Sequence, residues 1–381
     1  AEVARGAYLA RAGNCMGCHT VPGGAAYAGG RGVPTPFGAV YAPNLTPDVA
    51  TGIGAWSAAE FWRALHNGRS RDGRLLYPAF PYPNYTRITR TDADAIHAFL
   101  RSLPAVSQPN KPHELRFPFD QQAALAVWRA LYFRPARPGP DGSRDADWNR
   151  GAYLVEGLGH CNACHASRNA LGATPSTLDL AGGLIPVQNW YAPSLTSPLE
   201  AGVADWSLQQ IVDLLKRGSS TRGVVLGPMS EVVRGSTQHL SAPDLRAMAS
   251  YLKALPQIYE PLEEIDPAKR PPLDARGAEL YEQHCVRCHG ERGEGVPSIY
   301  AALAGNRAVT MSNPANLVHV VLEGGFAPAT DAHPRPFGMP PFATVLSNTD
   351  VAHLLTYLRA AWGHQASAVS ALEVSRYRGA K

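Results

Sequence analysis

The chain has 381 residues, with 35 Lys and Arg against 31 Asp and Glu, a formal charge of +4. That balance is too weak to argue for a nucleic-acid partner. The 45% of hydrophobic residues suffices for packed cores and excludes an intrinsically disordered chain. No apolar run approaches the roughly 18 residues that a membrane-spanning helix needs. Gly (36) and Pro (33) are both over-used, so much of the chain is expected in turns and irregular loops that wrap something. The sequence opens Ala1-Glu2-Val3 without a methionine or an apolar leader, as expected of a mature chain whose signal peptide has been removed.

Three related stretches follow one another. The first opens with Arg5-Gly-Ala-Tyr-Leu-Ala-Arg-Ala-Gly-Asn-Cys15, a short helix leading into Cys15-x-x-Cys18-His19. Tyr41-Ala-Pro-Asn-Leu-Thr46 comes next, then a helix from Trp56-Ser57 through His66, with Ser57 as N-cap and Glu60 as its partner. After Leu76-Tyr-Pro-Ala-Phe-Pro-Tyr82, an amphipathic helix over Thr91–Leu100 closes the stretch, and Leu103-Pro104 stops it. Residues 109–147 read as a linker, with a helical piece from Gln121 to Phe133 and a Pro/Gly/Asp-rich run from Arg134 to Asp145.

The second stretch repeats the plan. Arg150-Gly-Ala-Tyr-Leu leads to Cys161-x-x-Cys164-His165, then Tyr191-Ala-Pro-Ser-Leu-Thr196. Trp206-Ser207 opens a helix through Arg217, with Gln210 as the capping partner, and Ser241–Leu252 closes before Leu255-Pro256. Residues 257–273 form a second linker, acidic and then proline-rich. In the third stretch Arg276-Gly-Ala leads to Cys285-x-x-Cys288-His289, Asn348–Leu358 is the closing helix, and Ala366–Lys381 reads as a short, weakly structured extension. The fold class is therefore mainly α, with three tandem domains over 1–108, 148–256 and 274–365.

Every cysteine belongs to one of the three pairs, and every pair has a histidine directly after it. C-x-x-C-H is the attachment signal of c-type haem. Two thiols at that spacing add to the two vinyl groups on one porphyrin edge, and the next residue then lies under the iron. Zinc would use two such pairs per ion and leave one over, and a redox pair needs no trailing histidine. Cys15, Cys18, Cys161, Cys164, Cys285 and Cys288 are thus expected to hold three covalently attached haem c groups, with His19, His165 and His289 as iron ligands. Covalent haem attachment takes place after export, so a periplasmic location is expected, at the outer face of the cytoplasmic membrane.

The second axial position separates the repeats. Electron-transfer cytochromes commonly fill it with methionine. Met229 in Gly227-Pro-Met-Ser and Met339 in Phe337-Gly-Met-Pro-Pro lie in Pro/Gly-rich loops with no helical face to bury, so both are expected as ligands. Met248, at apolar spacing on a closing helix, and Met311 are expected to pack, and Met16 lies inside the first haem motif. The corresponding loop of the first repeat has Phe80. Haem 1 is then five-coordinate, weakly ligated by water or hydroxide, bound by His66 or His97, or ligated from another domain. An open or weakly ligated iron is the preferred reading, because phenylalanine shields without binding.

From Arg5-Gly-Ala-Tyr-Leu through Ala42-Pro-Asn-Leu-Thr46, Leu76–Tyr82, Asn149-Arg-Gly-Ala-Tyr-Leu154, Gly227–Val233 and Ala361-Trp-Gly363, the chain resembles the trihaem cytochrome c subunits of bacterial periplasmic membrane-associated dehydrogenases. Those act on alcohols, aldehydes, gluconate and related sugars. The resemblance implies three class I-like cytochrome c domains with loop-rich haem pockets, and ligand pairs His165/Met229 and His289/Met339. It implies a catalytic dehydrogenase subunit of flavin, quinone or molybdenum type as electron donor, and quinone or a soluble redox protein as acceptor. Phe80 stands where many relatives have methionine, which is similar to the cytochrome subunits of molybdenum hydroxylases. Several relatives end in an amphipathic or hydrophobic anchor that is not visible here, so any membrane association is expected to be peripheral. No hydrolytic or nucleotide-binding constellation stands out, so the chain itself is expected to be no enzyme. The alternatives are a freestanding soluble carrier, or small-ligand chemistry of peroxide type at an open haem 1.

Overall fold

Each repeat begins with an Arg-Gly pair, and the structure shows why. The computed structural model describes residues 1–381 except 138, 177, 260–272, 298 and 379–381. The opening helices cover Glu2–Ala12, Ala146–Ala152 and Ala275–His284, and the closing helices cover Arg90–Arg101, Ala242–Lys253 and Asn348–Ala360. Opening and closing helices cross at the glycine. A Cβ on Gly6 would lie 1.8 Å from the Ala95 carbonyl oxygen, on Gly151 2.2 Å from that of Ala247, and on Gly277 2.3 Å from that of His353. No side chain fits there, so the helix accepts glycine's cost of about 1 kcal/mol relative to alanine. The preceding arginine locks each crossing to an aspartate in the first turn of the closing helix. Arg5 reaches Asp92 at 2.5 Å, Arg150 reaches Asp244 at 2.7 Å, and Arg276 reaches Asp350 at 3.1 Å.

The chain divides into two units, residues 1–180 with 235–251, and residues 181–234 with 252–381. The first unit holds the whole first repeat and, from the second, the haem-motif turn and most of the closing helix. Its middle helix, Ala58–Asn67, starts at a capping box in which Ser57 Oγ accepts from the Glu60 N–H and Glu60 accepts from that of Ser57. It stops at Gly68, whose φ of 58° suits glycine. The segment expected as a linker folds onto this repeat. Glu114–Leu115 adds a third strand to the antiparallel hairpin Gly32–Thr35/Gly38–Tyr41, and the helix Gln122–Tyr132 is fixed by the Gln122 amide to both backbone groups of Leu75.

The second repeat has one residue more than the first between arginine and cysteine, Arg150 to Cys161 against Arg5 to Cys15. The excess is absorbed in a π-helical turn over Tyr153–Leu158, a wider turn that accommodates an added residue. Both helices then end in a residue with positive φ directly before the first cysteine, Asn14 at 48° and His160 at 39°.

The tyrosines of the two Arg-Gly-Ala-Tyr segments bind crosswise. Tyr8 donates to Asp244 at 2.5 Å, and Tyr153 donates to Asp92 at 2.6 Å. Each arginine grips its own repeat's aspartate and each tyrosine grips the other repeat's, the reciprocal pattern of a two-fold interface within one chain. Arg87–Glu156 and the Asn84 amide to Asn162 Oδ1, at 2.6 Å, extend this junction. The third repeat has Glu279 at the tyrosine position, and it pairs with Arg276.

In the second unit the middle helix Leu208–Arg217 repeats the capping box with Ser207 and Gln210 and ends at Gly218, φ 73°. The sequence reading of Met229 as a loop residue needs correction. Met229 lies in the first turn of a helix over Pro228–Gly235, started by a proline whose fixed φ suits that position. The core of the third repeat is built around Val351, Leu354, Leu355 and Leu358 of its closing helix, all no more than 3% exposed, each worth about 1.5–3 kcal/mol of apolar burial. The extension read as weakly structured also needs correction. Ala371–Arg378 is a helix, its Val374 is fully buried in this core, and Arg378 donates to the Leu346 carbonyl at 2.6 Å. The reading of residues 257–273 as a linker falls mostly outside the described residues.

Candidate haem-binding sites

No disulfide joins any of the six cysteines. Cys15–Cys18 forms a single helical turn, as does Val286–His289, whereas Cys161–Ala163 is a tighter 3₁₀ turn. A turn of this kind sets the two thiols on one side and hands the chain on to the histidine. Burial pushes the thiols of Cys15, Cys161 and Cys285 up to about 12.

Two of the three histidines are oriented by the same device. His19 Nδ1 lies 2.7 Å from the Pro43 carbonyl, and His289 Nδ1 lies 2.8 Å from that of Ala301. A ring that donates from Nδ1 presents a bare Nε2, the tautomer a metal needs. In both cases a glycine makes the approach feasible. The N–H groups of Gly29 and Gly295 donate to the backbone carbonyls of His19 and His289, each at 2.8 Å. Both glycines have positive φ, and a Cβ on either would strike the carbonyl-bearing segment, 2.5 Å from the Pro43 carbonyl carbon or the Tyr300 oxygen. Burial pulls both imidazoles below the ordinary histidine range, which keeps them neutral, as a ligand must be. His165 is half-buried.

The surroundings fit haem. Its two propionate carboxylates call for hydrogen-bond donors, and Arg168, three residues beyond His165, donates to the Ala163 carbonyl within the second motif while its Nη1 is buried without a partner. Cys15, Cys18 and His19 would hold one group, Cys161, Cys164 and His165 a second, and Cys285, Cys288 and His289 a third.

The expected sixth ligands are placed as follows. Met339 pairs with Gly325 in a two-residue antiparallel ladder and packs against the same buried cluster as Cys285. Met229 belongs to the second unit and His165 to the first. Phe80 packs beside Tyr85, ring centroids 5.5 Å apart, and the Tyr85 hydroxyl donates to the Gly13 carbonyl at the entrance to the first motif. His66 stacks on Trp62 at 4.5 Å with Nδ1 3.4 Å from Thr86, and His97 lies against Phe61. Met248 and Met311 are buried and Met16 is exposed. Sequence reasoning missed the glycine-and-carbonyl brace of the histidines. Its signal is a glycine 10 residues after His19 and 6 after His289, too variable a spacing to read unaided.

Crossed opening and closing helices around C-x-x-C-H turns with braced histidines define a c-type cytochrome. The cytochrome c family pattern matches residues 3–104 and 275–362, the first and third repeats. The chain is 37% identical over 400 residues to the cytochrome c subunit of a quinone alcohol dehydrogenase from Gluconacetobacter polyoxogenes, covering 99% of this chain and 84% of that one. It is 35% identical over 395 residues to the cytochrome c subunit of gluconate 2-dehydrogenase from Pantoea cypripedii, covering 99% and 90%. It is 42% identical over 368 residues to one of the subunits of nicotinate dehydrogenase from Pseudomonas putida, covering 94% of this chain and 30% of that longer one. The chain belongs to the family of dehydrogenase cytochrome c subunits.

Proposed function

We propose that this protein relays electrons from a catalytic dehydrogenase subunit to quinone or another acceptor, through three haem c groups, on the periplasmic side of the cytoplasmic membrane. The carrying observation is the threefold C-x-x-C-H turn, with the Nδ1 brace on His19 and His289 leaving Nε2 for iron. When bound, each haem supplies a one-electron ferric/ferrous couple. The protein's own part is to fix the attachment turns, exclude water and supply axial ligands. Met229 would ligate beside His165, and Met339 beside His289. The first repeat offers Phe80 in place of methionine, and His66 and His97 are engaged with Trp62, Thr86 and Phe61, which supports an open or weakly ligated haem 1. The partner would be a catalytic dehydrogenase subunit of flavin, quinone or molybdenum type, with Phe80 the feature that resembles the cytochrome subunits of molybdenum hydroxylases.

The test is a haem count with oxidised, reduced and carbon monoxide spectra of the purified protein. Three haems per chain, one high-spin and CO-reactive, is the expected result. Two haems, or three that are all CO-inert, would refute the count or the open first site. Co-purification of a dehydrogenase with the tagged chain from its native host tests the partner, and a chain that elutes alone would favour a freestanding carrier.

A further inference from the structure

We propose that Trp190 and His319 form a stacked bridge that positions the two expected sixth ligands, Met229 and Met339, and so ties the potentials of haems 2 and 3 to one shared contact. The proposal rests on the reading that these methionines ligate iron. All four residues belong to the second unit. Trp190 comes from the second repeat, directly before the ladder residue Tyr191. His319 comes from the helix Ala315–Glu323 of the third, whose other buried residues include Val318, Val321 and Leu322. The two rings stack, with centroids 5.0 Å apart and planes tilted by only 16°. His319 is 2% exposed, where an apolar side chain would be the ordinary choice.

The contact carries backbone strain. Val187 and Asn189, on either side of Gln188, have φ of 67° and 57°, a region that disfavours residues other than glycine and a β-branched valine above all. The turn they make sets the Asn189 carbonyl 3.2 Å from His319 Nε2 and brings the Trp190 ring onto the imidazole. Asn316, on the same helix, fixes the register. Its Nδ2 donates to the Tyr191 carbonyl at 2.7 Å, and its Oδ1 accepts from the Tyr191 N–H at 2.8 Å. The first repeat, with Phe80 in place of a methionine, has Val40 before its Tyr41-Ala-Pro and so no ring to stack.

Each ring is tied to one ligand segment. A Cβ on Gly227 would fall 2.7 Å from the Trp190 ring, so the indole lies against the backbone two residues before Met229. The His319 helix ends at Gly324, where a Cβ would meet the Met339 carbonyl oxygen at 2.3 Å, and Gly325 pairs with Met339. The Phe342 and Ala343 N–H groups donate to the Val321 and Leu322 carbonyls of that helix, each at 3.0 Å. In a close-packed interior a displacement of either ring is passed on, here to both methionines. Methionine ligation raises a haem potential, so a loosened bridge lowers two potentials together.

Trp190→Leu, Trp190→Phe and His319→Leu are compared with the parent as haem-loaded full-length chains, by redox titration and by the near-infrared band of methionine-ligated ferric haem. Met229→Ala and Met339→Ala are the references that assign one potential to each haem. If either leaves all potentials unmoved, that axial assignment fails and the bridge with it. With both references in place, Trp190→Leu and His319→Leu are each expected to lower the potentials of haems 2 and 3 and to weaken the band of both. The expected size is about threefold in each reduction equilibrium constant, about 28 mV for one electron. Trp190→Phe keeps a face for the imidazole and should recover most of the parent values. His319→Leu serves even if Trp190→Leu fails to fold. Unchanged potentials, a shift confined to the haem of the substituted repeat, or an equal shift of all three haems would overturn the bridge.

Discussion

Replacing Tyr153 with phenylalanine removes one oxygen from the junction of the first two repeats, and its effect can be worked out in advance. Asp92 is 2% exposed. One of its oxygens is held by Arg5 at 2.5 Å and the other accepts from Tyr153 at 2.6 Å. A hydrogen bond to a charged group contributes about 1.5–3 kcal/mol. The substitution leaves a buried carboxylate oxygen without its donor, so Tyr153→Phe belongs near the upper end. Tyr8→Phe belongs near the lower end, because Arg150 grips both oxygens of Asp244 at 2.7 Å and still does so when the phenol is gone. Glu279→Ala, at the corresponding position of the third repeat, is the control. Glu279 and Arg276 are 62% and 48% exposed, and such pairs are worth about 1 kcal/mol or less. Urea unfolding followed by circular dichroism and the haem absorbance would give the three values, with constant slopes required for the comparison. The reasoning is refuted if Tyr153→Phe costs under about 0.5 kcal/mol, the range of an ordinary surface change, or if Glu279→Ala costs as much.

Gly277→Ala should destabilise the third repeat by about 1–3 kcal/mol through overpacking, although alanine favours helix; thermal unfolding checks it, and an unchanged midpoint would mean the crossing is loose. Met339→Ala and Met229→Ala should each open one haem to carbon monoxide and lower one potential, and optical titration of both variants would expose a wrong axial assignment. Burial raises the Asp244 carboxyl, but hydrogen bonds from Arg150 and Tyr8 and the Arg150 charge outweigh it, and the group lies below the ordinary aspartate range when folded. Its stabilising share is therefore complete above the unfolded value near 3.9, is lost as pH falls through the folded value, and should begin to fail at higher pH in Tyr8→Phe, as acid unfolding curves would show.

Much of this architecture can be read from local pattern. The capping boxes at Ser57 and Ser207, the closing helices and the C-x-x-C-H turns are all written within a few neighbouring residues. What escapes is what depends on distant partners. Asp92 and Asp244 read simply as early helix acids, because nothing nearby shows that a tyrosine 61 or 236 positions away will reach them. The Arg-Gly pairs show a repeat but not the helix that crosses it. Two features carry local signals that are easily passed over. Ser370-Ala-Leu-Glu373 is a capping-box pattern, and both of its bonds form. The helix Gln122–Tyr132 is legible, but its attachment to Leu75 and Asn67 is not, so a structural part of the first repeat passes for a linker.

The π-helical turn at Tyr153–Leu158 has a consequence for how the repeats can diverge. Gly151 stays on the Ala247 carbonyl and Arg150 on Asp244, and His160 still enters the cysteine turn as Asn14 does in the first repeat, although one more residue intervenes. The turn acts as slack in a rope tied at both ends. Length drifts between fixed knots, so a residue-by-residue superposition of the repeats goes out of step here while the chemistry at each end stays in register.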